Sequence, residues 1–65
     1  MWYFLAKYTD MITEEEISRK IEFDGENMFW DEENPAEKCY MYAMSQALRL
    51  RKPNESLDAL EFEAC

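Results

Sequence analysis

The chain predicts an α+β fold of order β-β-α-β: a three-stranded, mainly antiparallel sheet with one helix, over about residues 35–51, packed on one face. Three observations lead there. Residues 2–9, 17–24 and 57–65 alternate in side-chain character with the period of two that marks a strand. Asn34-Pro35 opens a segment whose apolar residues recur at helical spacing. The chain has only 65 residues, so residues 1–65 are read as a single small domain.

The first strand places Trp2, Phe4, Ala6 and Tyr8 on one face and Tyr3, Leu5, Lys7 and Thr9 on the other. Both faces are apolar near its start, as in a strand central to its sheet or covered on its second side by another chain. The next segment has two readings. Thr13-Glu14-Glu15-Glu16 fits a capping box, and Ile17 and Ile21 lie one helical turn apart, which supports a short helix over 14–22. Against this, Ile17, Arg19, Ile21 and Phe23 alternate with Ser18, Lys20, Glu22 and Asp24 before Asp24-Gly25, the signature of a strand running into a turn. The strand is preferred, with residues 10–13 as the hairpin loop and Glu14 to Glu16 as its solvated start.

Residues 25–33 show no period and are read as a loop with at most one helical turn. The helix then begins at Pro35, where Asn34 serves as N-cap and Glu37 reaches back to the cap. Ala36, Tyr40, Ala43, Met44 and Ala47 form its apolar stripe, bordered by Cys39 and Leu50 on one edge and by Met41 and Leu48 on the other. Lys38, Tyr42, Ser45 and Arg49 face away. The alanines let the helix lie close on the sheet, Arg49, Arg51 and Lys52 suit its C-terminus, and Pro53-Asn54 ends it. In the last strand Leu60, Phe62 and Ala64 oppose Glu61 and Glu63.

Composition narrows the function. A chain this short has a marginal core and needs a disulfide, a metal or a partner to add burial. With no His and two distant cysteines, Cys39 and Cys65, a zinc site is not indicated, and the thiols are read as free. A hydrophobic content of 48% and an aromatic content of 15% predict folding despite a net charge of -8. The apolar run 1–6 stops at Lys7, too short for a membrane span and unlike a signal peptide, which predicts a cytoplasmic protein. A pI near 4.3 argues against nucleic acid or an anionic membrane as ligand.

Catalysis is not indicated either. Without His the usual base for nucleophilic catalysis is missing, and Cys39 lies in the apolar border of the helix, where thiols serve as packing. The chain is therefore read as non-enzymatic, with no catalytic residue, cofactor or metal. Asp24, Glu26, Asp31, Glu32 and Glu33 offer oxygen ligands of the kind Ca²⁺ prefers, but their spacing does not match an EF-hand loop.

The strongest functional signal lies between Ile21 and Lys38. Seven carboxylates, Glu22, Asp24, Glu26, Asp31, Glu32, Glu33 and Glu37, occur there with no Lys or Arg, and Met28-Phe29-Trp30 sits among them. Charge steers encounter and aromatics anchor the complex, so Glu22, Asp24, Glu26, Phe29, Trp30, Asp31, Glu32 and Glu33 are the candidate partner-binding residues, facing a basic protein surface. The competing reading has the aromatics closing one end of the core, with the carboxylates serving solubility. If the second strand extended through this region, Glu22, Asp24 and Glu26 would form a row with a spacing of about 6.6 Å. That is roughly twice the phosphate repeat along one strand of DNA, so any nucleic-acid mimicry is loose.

In size, charge and lack of catalytic groups the chain resembles the small acidic proteins that phages and mobile elements use against host defences, including anti-CRISPR and anti-restriction inhibitors. The resemblance implies an inhibitor that occupies a basic, nucleic-acid-binding surface of a larger protein, and it assigns no residue roles. The alternative is a structural module: one helix cannot cover both sheet faces, so Trp2, Tyr3, Leu5 and Tyr42 are the candidate homodimer face.

Overall fold

The computed structural model describes all residues, Met1–Cys65. Its elements are β1 (Trp2–Asp10), β2 (Glu16–Phe23), a one-turn helix α1 (Gly25–Met28), the long helix α2 (Pro35–Leu50) and β3 (Glu55–Ala64). The sheet has the order β2-β1-β3, and β1 is antiparallel to both neighbours. The predicted β-β-α-β architecture is thus the observed one, with α1 as an added turn. Residues 14–22 resolve in favour of the strand, because each residue from Glu16 to Phe23 pairs with a residue of β1 and a helix would forfeit that ladder.

The hairpin loop is tightly knitted. Asp10 Oδ1 accepts from the backbone N–H groups of Ile12 and Thr13 at 2.8 and 3.1 Å, and Asn54 Nδ2 donates to Asp10 Oδ2 at 2.8 Å. Glu14 belongs to this turn and not to the strand, with a left-handed φ of 63°.

α2 covers the Phe4, Ala6 and Tyr8 face of β1. Phe4 is the hub, with ring centroids of Trp2, Phe23, Phe62 and Tyr40 at 6.2, 6.0, 5.6 and 6.2 Å. The helix meets this face through Cys39, Ala43 and Ala47, all fully buried. The inward stripe is thus centred on Cys39, which the helical wheel placed at its border, while Ala36 and Tyr40 are exposed. Tyr42, expected to face away, is half-buried, because Phe23 and Phe29 draw it in at ring distances of 4.6 and 6.3 Å. Two short alanine side chains let α2 sit low on the sheet, and the Tyr8 hydroxyl then donates to the Ala47 carbonyl at 2.6 Å. That carbonyl is one of the last four of the helix, which have no partner within it.

β3 departs from plain alternation. Tyr8 pairs with Leu57 and Lys7 with Ala59, so Asp58 is an extra residue; likewise Phe4 pairs with Phe62 and Tyr3 with Ala64, leaving Glu63 extra. Leu57 and Leu60 are three apart, and only such a bulge lets both turn toward the helix. The second bulge moves Ala64 to the open side, away from the Leu60 and Phe62 face on which alternation placed it. The open side carries Lys7 paired to Glu61 at 2.8 Å and a hydrogen bond from Thr9 to Asp58.

At the hairpin end a part-buried ion pair closes the core. Arg19 forks to Glu55 at 2.5 and 2.8 Å, and its guanidinium lies 4.7 Å above the Tyr8 ring. Glu55 is only 2% exposed and also accepts from the Lys52 N–H at 3.0 Å. These bonds hold its carboxyl at about 2, well below the usual 4.5, chiefly because the charged form accepts from Arg19. One helix on a three-stranded sheet makes a thin body of 43 × 18 × 13 Å, and only 10 of 65 residues are buried.

Candidate functional site

The acidic segment lies at the opposite end from the ion pair, where β1 begins and β2 ends. β2 stops at Phe23 because Asp24 turns to cap α1: its carboxylate accepts from the Asn27 N–H at 3.4 Å and from Asn27 Nδ2 at 2.6 Å. Met28 N–H donates to the Asp24 carbonyl, Phe29 N–H to that of Gly25 and Glu32 N–H to that of Phe29, at 3.0, 3.0 and 3.2 Å. Asn34 then caps α2, accepting from the Glu37 N–H at 3.3 Å while its amide donates to the Glu37 carboxylate at 3.2 Å.

This knitted turn separates two adjacent aromatics. Phe29 is half-buried and packs edge-on against Tyr42, closing one end of the core. Trp30 points outward and is 80% exposed. Asp31, Glu32 and Glu33 follow it in the loop, all exposed, and Glu26 is exposed on α1. Of the seven carboxylates from Glu22 to Glu37, only Glu26 forms an ion pair, with the N-terminal ammonium at 3.2 Å.

The expected row of Glu22, Asp24 and Glu26 does not form. Glu22 lies on the open face of β2 opposite Tyr3, Asp24 is a helix cap, and Glu26 belongs to the helix, so the three sit in different local geometries. Nor do three of the carboxylates and thiols converge into a group that could hold a metal ion. The candidate dimer face is also divided. Tyr3 and Leu5 lie on the open side of the sheet, whereas Trp2 and Tyr42 belong to the helix-covered side, where Trp2 stacks on Phe4 and Tyr42 packs edge-on against Phe23. Exposed apolar side chains are spread over the molecule, among them Met11 and Ile12 of the hairpin, Met41 and Leu48 of α2, and Tyr40 and Phe62, which both stand edge-on to Phe4.

Trp2 instead joins the acidic site. It lines a groove of about 370 Å³ together with Phe29 and Trp30, above Gly25, with Glu26, Pro35 and Cys65 at the rim. Gly25 is the floor because nothing larger fits: a Cβ there would stand 2.5 Å from Cys39 Sγ and 2.8 Å from Trp2 Cδ1. The sequence signal for Trp2 was its register with Phe4, which places both on one face; Gly25 showed only as a turn residue. Burial raises the Cys39 thiol above its usual value, in keeping with an inert packing role, while Cys65 is free and exposed.

No protein-family model, no curated protein and no solved structure matches this chain. No helix is long and apolar enough to cross a membrane.

Proposed function

We propose that the protein is a non-enzymatic, cytoplasmic binding protein that occupies a basic surface, of the kind that holds nucleic acid, on a larger protein. By its size and charge it is assigned to the inhibitors that phages and mobile elements direct against host defences. The observation that carries this reading is Trp30, left 80% exposed beside a Phe29 that the same turn half-buries, and followed by Asp31, Glu32 and Glu33, none of which has an internal cation. Trp is a frequent anchor of protein interfaces, and Trp30 borders a groove with two further aromatics, Trp2 and Phe29. Unpaired carboxylates around it supply steering and selectivity for a cationic surface.

Affinity capture from the native host with mass spectrometry tests the reading. The expected result is a nucleic-acid-binding protein whose retention falls between low and physiological salt and is lost in Trp30→Ala and in the variant with Asp31, Glu32 and Glu33 neutralised. Capture that is insensitive to salt, or that survives both variants, would refute it. A second reading, a homodimer, is favoured by two half-exposed aromatic side chains, Tyr40 and Phe62, that both stand edge-on to Phe4. Light scattering decides it, since this reading predicts a dimer that Phe62→Ser dissociates.

A further inference from the structure

We infer that the groove between Trp2 and Trp30 receives an arginine side chain from the basic partner, with its guanidinium stacked on the indoles and its N–H groups directed to the Glu26 carboxylate. This rests on the reading that the partner is basic, and it names the contact that partner must bring.

The lining is suited to a flat cation. Three of the groove residues, Trp2, Phe29 and Trp30, are aromatic, and Glu26 stands at the rim. Indole is the best of the aromatic faces for a cation, and a carboxylate beside it adds a charge-assisted hydrogen bond. Two walls are already fixed. Trp2 is stacked on Phe4 at 6.2 Å, braced by Phe62 at 5.4 Å and lies against Gly25, while Phe29 is held by Tyr42 at 6.3 Å. Trp30 is the wall with most surface left to cover. Preorganised walls lower the ordering cost of binding, and the exposed one supplies the burial.

Two features within the molecule support a cation in this position. The N-terminal ammonium already approaches Glu26 Oε2 to 3.2 Å, so that carboxylate is placed to accept from a positive group. At the far end of the sheet the chain builds the same arrangement for itself, with Arg19 lying 4.7 Å over the Tyr8 ring and forking to Glu55. Arginine is favoured over lysine because its guanidinium is planar, weakly hydrated and able to stack and fork at once.

The test uses the ¹⁵N-labelled full chain titrated with acetyl-arginine amide, acetyl-lysine amide, acetyl-alanine amide and tetramethylammonium at constant ionic strength. The two indole N–H signals report on the groove. Acetyl-arginine amide should move both, binding about three- to tenfold more tightly than acetyl-lysine amide. Glu26→Gln should weaken it by a similar factor, and Trp30→Ala, which removes a side chain outside the core, should abolish the response at Trp2. The inference is overturned if acetyl-alanine amide gives the same shifts, if tetramethylammonium binds more tightly than the arginine amide, or if Trp30→Ala leaves arginine binding unchanged. A captured basic partner that tolerates Trp30→Ala and Glu26→Gln but not neutralised Asp31, Glu32 and Glu33 would sink this inference while retaining its acidic-surface premise. Arginine binding at the groove with no basic partner ever captured would support the groove and refute the broader reading.

Discussion

Replacing Gly25 by Ala tests whether close packing beneath α1 holds this end of the domain together. The added Cβ would stand 2.5 Å from Cys39 Sγ, 2.8 Å from Trp2 Cδ1 and 3.1 Å from Trp2 Nε1. Ordinary contact needs about 3.5–4.0 Å, so α1 must lift by roughly an ångström or the sulfur must yield. Cys39 is fully buried between helix and sheet and has nowhere to go. Overpacking of this kind costs about 1–3 kcal/mol, while a less flexible unfolded chain returns about 0.4–1 kcal/mol. The net is a loss of up to about 2.6 kcal/mol. With an unfolding entropy of roughly 2.1 cal/mol/K per residue, 65 residues give a Tm change of about 7 °C per kcal/mol, hence a fall of up to about 19 °C.

Thermal unfolding by circular dichroism measures this directly, and a double-mutant cycle with Cys39→Ala isolates its cause. Cys39→Ala alone removes the packing of one sulfur and should cost about 1 kcal/mol. In the double variant the methyl group introduced at position 25 enters the space the sulfur leaves, so the combined loss should fall short of the sum of the two single losses by about 1 kcal/mol. The contact with Trp2, which Phe4 and Phe62 brace, remains, so the relief is partial. A rise in Tm for Gly25→Ala, or strict additivity in the cycle, would refute the steric argument.

Three further outcomes follow from the structure. Glu55 is held at about 2 when folded and titrates near 4.5 when unfolded, so the stability it contributes is complete above 4.5 and is lost as pH falls from there toward 2; denaturation midpoints across this range should decline, and Glu55→Gln should flatten the decline. Asp10, lowered by the N–H groups of Ile12 and Thr13, acts in the same direction. Tyr8→Phe leaves the Ala47 carbonyl unpaired in a dry setting and should cost about 1–2 kcal/mol, with faster hydrogen exchange in the last turn of α2. A thiol reagent at mildly alkaline pH should label Cys65 at once and Cys39 only when the protein unfolds.

Much of the architecture was legible because it is encoded locally. Asn34-Pro35 and the alanines at 43 and 47 define α2 without reference to anything distant, and the alternation of β1 and β2 is readable by eye. What escaped depends on partners far along the chain. Tyr42 looked solvent-facing because nothing nearby announces that Phe23 and Phe29 will meet it. The Ala64 face was misread because bulges arise from register against β1, which alternation within β3 does not contain. The Arg19 pair was not legible, because its partner Glu55 lies 36 residues along the chain and among 15 acidic residues nothing singled it out. At the site, Met28-Phe29-Trp30 offered two readings, core plug and interface. The turn divides them, Phe29 inward and Trp30 outward, a difference of direction that depends on the α1 hydrogen bonds.

The pairing of Tyr3 with Ala64 brings residues 1 and 65 to the same end of the sheet, and both Trp2 and Cys65 border the groove. Any tag, fluorophore or surface linker attached at either end therefore emerges beside Trp30 and Glu26 and competes with whatever they bind. The hairpin around Ile12, which lies at the other end of β1 at a distance of about 27–31 Å for its nine residues, is exposed and free of this interference. Attachments made there leave the groove open, and a binding assay built on terminal fusions would report on the tag as much as on the protein.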